Sequence, residues 1–208
     1  ESGARTIQTR STAIAQDAEE YARRYGVSPA EAVRRLDAQH DSVPTIDAIA
    51  DRYRDRLAGV SIQHRPDYRF IVYLTGDQPI PPTWITAGAT QVRVQFRTGA
   101  KATRDRIIWA LTHHQAAIRE TLQSNPSMGV DPRTGELVVI AGRTTVEKAG
   151  GADTLDVLLT RLTGVPVQMR VLDHVDRNLG PQGGGRLDGT DPVSGKRYRC
   201  TSGFLVSD

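Results

Sequence analysis

Two stretches of the chain each place short apolar segments around a polar turn, and this pattern most constrains the fold. In the first stretch, Val60–Gln63 and Tyr68–Leu74 flank the turn-like His64–Asp67. In the second, Gly129–Glu136 contains a turn that leads into Leu137–Ala141. Segments rich in β-branched residues on either side of a polar turn predict β-hairpins. The chain is therefore predicted to contain two hairpins.

The most regular single element is Gln91–Arg97, where polar and apolar residues alternate strictly. Because successive side chains of a strand point to opposite faces, this order predicts a half-buried strand with its two valines and its phenylalanine inward. The stretch Asp77–Pro82 contains three prolines, which exclude regular structure and predict a surface loop.

The first 58 residues are predicted to form three helices from their apolar spacing. The first helix ends at Gly26. The second begins at Ser28, which can cap it while Glu31 reaches back to complete a capping box. The third follows the i, i+3, i+4, i+7 repeat from Ile46 to Leu57. We expect this helical segment to cover a sheet.

Two further helices are predicted in the rest of the chain. One is capped near Thr103 and ends before Pro126, and a shorter one is capped by Asp153 and ends at Gly164. The inner face of the shorter helix is predicted to carry Leu155, Leu158, Leu159 and Leu162. Val165–Leu172 alternates and predicts another strand. The fold class is therefore α+β, with N-terminal helices followed by two small hairpin, helix and strand units with antiparallel sheets.

Charge and composition limit the classes of function. The charges are mixed along the chain and total only +3, so nucleic acid is not predicted as a partner. No apolar run approaches the roughly 20 residues of a membrane-spanning helix, so no membrane span is predicted. No signal-peptide pattern opens the chain, and we expect a trimmed start. The single cysteine, Cys200, cannot form an internal disulfide.

Motifs in the second half of the chain resemble a known family. Asp131–Val139 is an aspartate turn leading into a Val-rich strand, with Val165–Val171 as its partner. Near the C-terminus, Cys200–Val206 combines a cysteine, a small polar pair, a glycine and Phe-Leu-Val. Together these resemble the pro-region and first mature strand of bacterial chymotrypsin-like serine peptidases of the alpha-lytic protease and streptogrisin type. The resemblance covers residues 129–208 well and the helical start poorly.

With this resemblance the chain divides into five predicted segments. A composition rich in Gly, Asp and Arg after Leu172 indicates a linker. The segments are an N-terminal helical segment (1–58), a first and a second αβ pro-region-like unit (59–128 and 129–172), a linker and processing segment (173–190), and the start of a chymotrypsin-like peptidase domain (191–208). The similarity between the two αβ units suggests a duplication.

The resemblance also implies roles for particular residues. In such precursors the pro-region assists folding of its own protease domain and inhibits it with its C-terminal tail, so that domain is the implied partner and the implied location is secreted or periplasmic. The implied protease-contact strand comprises Val165, Val167, Met169 and Val171. The implied inhibitory and processing tail comprises Asp173, Asn178, Gly183, Gly184 and Gly185. Cys200 is the implied half of a disulfide whose partner lies outside this sequence.

The sequence does not contain a complete catalytic triad. That mechanism needs a serine, a histidine, a carboxylate and oxyanion donors, and the chain has neither a Gly-Asp-Ser-Gly-Gly nor an Ala-Gly-His-Cys segment. We therefore predict no peptidase activity for this chain, although the resemblance implies a serine endopeptidase as the parent precursor, or zymogen. His113 and His114 are adjacent, so on a helix they point about 100° apart and do not predict a metal site. No metal and no cofactor are predicted.

Two other classes of function remain open. The first is a stand-alone αβ protein-interaction module without catalytic activity, in which the Cys200 segment is coincidental. The second is nucleic-acid binding, which predicts a steep loss of affinity with salt and fits the mixed charges least. Trp84 is predicted to anchor the proline-rich loop, with ligand binding as the alternative.

Overall fold

The computed structural model describes residues 10–173, 186–190 and 197–201. Over these residues the predicted α+β class is confirmed, with six α-helices, a four-stranded sheet, a three-stranded sheet and a two-stranded hairpin. The chain divides into two compact units, of which the first ends at Leu172 and the second begins at Asp173. None of the helices in the described ranges is both long enough and apolar enough to cross a membrane.

Three helices open the first unit, as the apolar spacing predicts. They are α1 (Arg10–Tyr25), α2 (Pro29–Asp41) and α3 (Val43–Arg52). At the start of α2 the Glu31 N–H donates to the Ser28 hydroxyl at 3.2 Å, which confirms the predicted N-cap. The predicted capping box is wrong, because the Glu31 carboxylate accepts hydrogen bonds from Arg34 and Arg35 on its own helix instead.

The first sheet, sheet A, has four strands in the order β1-β2-β4-β3. They are β1 (Leu57–Gln63), β2 (Arg69–Thr75), β3 (Thr83–Ala87) and β4 (Thr90–Ala100). The predicted hairpin β1–β2 and the inward face of β4 are confirmed. One face of the sheet packs with α2 and α3 around a core that includes Phe70, Val72, Val92 and Val94. The sheet is mixed and not wholly antiparallel, because β4 runs parallel to β2.

Two local predictions for this region are wrong. Leu57 continues the apolar repeat of α3, but a short 3₁₀ helix (Arg54–Arg56) separates them and Leu57 begins β1 opposite Leu74. Trp84 lies on β3 and not in the proline-rich loop, and its side chain is largely exposed, so it is not a buried anchor of that loop. Both errors arise because pairing with a distant strand decides the conformation.

The second half of the first unit forms sheet B with its helices. Its elements are α4 (Arg104–Leu122), β5 (Ser127–Asp131), β6 (Glu136–Gly142), α5 (Arg143–Lys148), α6 (Ala152–Thr163) and β7 (Val167–Leu172). Thr103 caps α4 as predicted, whereas Gly151 stands at the N-cap of α6 and Asp153 lies in its first turn. Sheet B has the order β5-β6-β7, with β7 parallel to β6, so this sheet is mixed too.

The two sheets share one strand arrangement. In each, an antiparallel hairpin is followed by a crossover to a strand that pairs in parallel with the second hairpin strand, giving β1-β2-β4 and β5-β6-β7. The first crossover contains β3, and the second contains α5 and α6. This correspondence of topology extends the similarity seen in the sequence.

The second unit contains the hairpin of β8 (Arg186–Thr190) and β9 (Arg197–Thr201), which pair antiparallel. The strand β8 lies inside the range predicted as a linker up to residue 190. The last five residues of the predicted linker are therefore a β-strand.

An aromatic cluster joins the helical start to the β1–β2 turn. The Tyr21 hydroxyl lies 2.7 Å from Nδ1 of His64, and the Tyr25 ring stacks on His64 with 4.3 Å between ring centroids. The Arg35 guanidinium donates to the His64 carbonyl at 3.1 Å, and the Tyr68 ring lies 6.1 Å from His64. These contacts tie α1 and α2 to the turn that connects the first hairpin.

We expect His64 to make the stability of this cluster depend on pH. Burial, followed by the positive charges of Arg35 and Arg24, lowers the pKa of His64. The folded state then binds fewer protons than the unfolded state, so the free energy of unfolding falls as pH drops below the ordinary value of about 6.5. Urea denaturation between about pH 8 and about pH 5 should show this decline, and His64→Gln should remove most of it.

His113→Gln is the matched control for His64→Gln, because His113 is exposed on α4 and should leave the decline in place. Glu31, which pairs with Arg35 beside this cluster, titrates at lower pH. The hydrogen bond from Arg34 is the main cause that lowers the pKa of Glu31 from 4.5 to about 2. Its contribution to the free energy of unfolding is therefore lost only below about pH 4.5, outside the range of the experiment. An identical pH profile for the wild type and His64→Gln would contradict the assignment.

Candidate partner-contact site

The predicted contact strand, β7, forms one edge of sheet B. It pairs only with β6 among the described strands, with Leu137 opposite Val167 and Val139 opposite Met169. A strand at an edge keeps one row of backbone N–H and C=O groups free of strand pairing. These groups are the part of β7 that a partner strand would use.

Side chains of α6 occupy the first part of this edge. The Val167 N–H donates to the Thr160 hydroxyl at 3.0 Å, and the Met169 N–H donates to Oδ1 of Asp156 at 2.6 Å. Four residues of a helix rise by about 6 Å, and two residues of a strand rise by nearly the same distance. Residues four apart on α6 therefore lie beside every second outward N–H group of β7. The next pair in this series is Ala152 and Val171, and the alanine methyl group cannot accept a hydrogen bond. Within β7 the edge is therefore open at Val171.

Side-chain burial divides the predicted contact strand in the same way. Val165, Val167 and Met169 lie in the core beneath α4 and α6, so their side chains are not available to a partner. Val171 is 36% exposed and Leu172 is 47% exposed. The structure thus leaves the side chains of the last two residues of β7 accessible. The backbone of Val171 continues the outward row of Val167 and Met169, whereas the backbone of Leu172 faces β6.

The face of sheet B opposite the helices carries an ion pair near this edge. The Arg170 guanidinium donates to Oδ2 of Asp131 at 2.7 Å and to the Gln168 amide oxygen at 3.1 Å. Burial acts to raise the pKa of Asp131, but the Arg133 N–H and the Arg170 guanidinium outweigh it, and the pKa is lowered. Asp131 also accepts a hydrogen bond from the Arg133 N–H at 3.0 Å, which gives the aspartate turn its structure.

The structure places only part of the predicted tail. Asp173 follows β7 directly and is exposed. Asn178, Gly183, Gly184 and Gly185 lie outside the described residues. Cys200 lies on β9 opposite Leu187 of β8, so the predicted cysteine-bearing strand is present as one strand of a hairpin up to Thr201.

The adjacent histidines of α4 have different surroundings. His113 is exposed and stacks on Trp109 with 4.3 Å between ring centroids, whereas His114 is half-buried and meets the same ring edge-on. Across the described part of the chain, no group of three or more His, Cys, Asp or Glu side chains could hold a metal ion. The two histidines flank an exposed indole on the outer side of α4.

Asp156 and Thr160 are the site residues that sequence reasoning missed. They stand four residues apart on one flank of the apolar helix α6, and that spacing is the signal that could have identified them. Their role depends on β7 lying along that flank, which the sequence does not specify.

No known protein-family model matches the chain, and no curated protein sequence does so either.

Proposed function

We propose that the chain is the pro-region of a secreted serine endopeptidase precursor, which assists the folding of its own protease domain and inhibits it. The observation that carries the proposal is the open end of β7, where an uncapped edge and two exposed apolar side chains directly precede Asp173. The resemblance of the Cys200 segment to a first mature strand supports a protease domain that follows this point in the precursor. On this proposal Cys200 pairs with a protease cysteine after export.

The proposed contact is the addition of a protease strand to β7 from Val171 onward. Backbone hydrogen bonds supply affinity in such strand additions, and neighbouring side chains supply specificity. Val171 and Leu172 would be buried against the partner. Because the two domains belong to one precursor, the contact benefits from an effective concentration of about millimolar. Binding the folded protease domain stabilises it by mass action, and occupation of its cleft by the tail suppresses hydrolysis.

The experiment mixes the separately produced chain with the protease domain encoded downstream in the same reading frame. We expect an increased refolding yield and inhibition of peptide cleavage at micromolar concentrations. Val171→Asp should weaken inhibition by about tenfold or more, since it places a charge at the centre of the proposed contact. Val157→Asp is the matched control, because Val157 is 53% exposed on the outer side of α6 and should change inhibition by less than about twofold.

Absence of both inhibition and refolding assistance would contradict the proposal. A reading frame without a Gly-His-Cys-like strand and a later Gly-Asp-Ser-Gly segment beyond Asp208 would do the same. Either result would favour the alternative function, a stand-alone αβ protein-interaction module. Equal losses in both aspartate variants would contradict the position of the contact on β7.

A further inference from the structure

The outer surface of β3 and β4 is basic and exposed. Along β4 the side chains alternate between the two faces of sheet A. One face packs into the core through Val92, Val94 and Phe96. The opposite face carries Arg93 and Arg97, which are exposed. Cross-strand pairing places Trp84 and Arg69 on either side of Arg93. We call the surface formed by Trp84, Arg69, Arg93 and Arg97 the basic surface. The described helices that share a core with sheet A lie on its other face.

The guanidinium groups of the basic surface lack acidic partners. No Asp or Glu occupies a strand position on this face, and none of Arg69, Arg93 and Arg97 forms an ion pair within the described ranges. Elsewhere in the fold Arg54 and Arg170 both pair with aspartates. Like charges directly opposite each other on neighbouring strands repel, and Arg69 and Arg93 stand in that relation. An anionic partner would relieve this repulsion.

Two buried polar atoms on the same face also lack hydrogen-bond partners. They are Nε of Arg69 and Oε1 of Gln95. Buried polar groups normally have hydrogen-bond partners, so these two atoms show that the polar side chains of this face do not satisfy one another. Next to Arg93, Trp84 is 65% exposed, which is unusual for a large apolar ring. The face thus combines unpaired positive charge with an unpaired aromatic side chain.

We propose that the basic surface binds an extended acidic polypeptide segment that carries an apolar side chain beside its carboxylates. Arg93 and Arg97 are four strand residues apart, a separation of about 13 Å. Two carboxylates four residues apart on an extended peptide have the same separation, so each can pair with one guanidinium. Arginine and carboxylate groups form bidentate hydrogen bonds, which are among the strongest in proteins. The apolar side chain packs on Trp84.

A peptide fits this surface better than a nucleic acid does. Nonspecific nucleic-acid affinity grows with the number of phosphates neutralised, and three guanidiniums give a single strand a salt slope of only about −2. The surface has one exposed ring, whereas strand-binding surfaces stack successive bases on several aromatic side chains. The inference is independent of the proposed protease partner, because β3 and β4 belong to sheet A and the open end of β7 belongs to sheet B.

The test measures fluorescence anisotropy of a labelled eight-residue peptide with glutamates at positions i and i+4 and a leucine beside the first. We expect the full chain to bind it and to lose affinity as salt is raised. The double variant R93Q/R97Q should weaken binding by about tenfold to a hundredfold, and Trp84→Ala by about fivefold. The same peptide with glutamines in place of glutamates should not bind.

The double variant R119Q/R161Q is the matched control, because it removes the same charge from exposed positions on α4 and α6. Its affinity should remain within about twofold of the wild type. No binding of the acidic peptide, or equal losses in the two double variants, would overturn the proposal. Tighter binding of single-stranded oligo(dT), lost in R93Q/R97Q, would overturn it in favour of nucleic acid. None of these outcomes bears on inhibition of a protease.

Discussion

Leu155→Ala is expected to lower the free energy of unfolding by about 3–5 kcal/mol. Leu155 is completely buried on α6, in the core that α4, α6 and sheet B share. Truncation removes buried methyl groups and leaves a cavity that the close-packed neighbours fill only in part. Because a domain is stable by about 5–15 kcal/mol, this is a large share of the total. Urea denaturation followed by far-UV circular dichroism measures it.

Leu158→Ala is the control on the same helix. Leu158 is 46% exposed, so the same truncation should cost less than about 1 kcal/mol. Similar losses in both variants would contradict the orientation of α6. They would then also contradict the placement of Asp156 and Thr160 along β7, since that placement follows from the same rotation of the helix about its axis.

These leucines show what helical periodicity in the sequence can and cannot predict about a buried helix face. Apolar spacing located α6 and its end at Gly164, but predicted four inward leucines. Leu155 and Leu159 are buried in the core and Leu162 packs against it, whereas Leu158 falls outside the contact. A sequence pattern gives the apolar side of a helix, while the width of the buried stripe depends on which elements pack there.

Short-range signals in the sequence also predicted most strands. The features that were not predicted, namely the parallel strand pairs and β3, depend on pairing between distant segments. The hairpins β1–β2 and β5–β6 follow from turns and β-branched residues that are close in the sequence. The parallel pairs β2–β4 and β6–β7 join strands separated by a crossover, so no local signal specifies them. β3 has only five residues after a proline-rich loop and is held as a strand by its pairing with β4.

The candidate site was predictable as a strand but not as a surface. Alternation identified Val165–Leu172, and the structure adds which part of it is accessible. That division depends on the hydrogen bonds from Val167 and Met169 to α6, which arise only when the helix is packed on the sheet. For the same reason the sequence predicted the basic surface only as the polar side of β4. Whether an acidic side chain lies next to its arginines depends on strands that are distant in the sequence.

Gly135→Ala is expected to cost about 2–5 kcal/mol. Gly135 has a φ of +67°, in the left-handed region, and alanine there costs about 1–2 kcal/mol. An added Cβ would also lie 2.6 Å from the Ala102 carbonyl oxygen and 2.9 Å from the Lys101 nitrogen. These are backbone atoms held by the hydrogen bond from the Lys101 N–H to the Thr134 carbonyl at 2.9 Å, so overpacking adds about 1–3 kcal/mol. Urea denaturation measures the sum.

Gly164→Ala separates the two contributions to this loss. Gly164 ends α6 with a φ of +68°, and an added Cβ there would have no atom within 4 Å. Its substitution should therefore cost only the backbone term, about 1–2 kcal/mol. The excess in Gly135→Ala then reports how tightly the β5–β6 turn is packed against the residues that connect β4 to α4. Equal costs at the two glycines would mean that this turn does not hold the hairpin of sheet B against the end of sheet A.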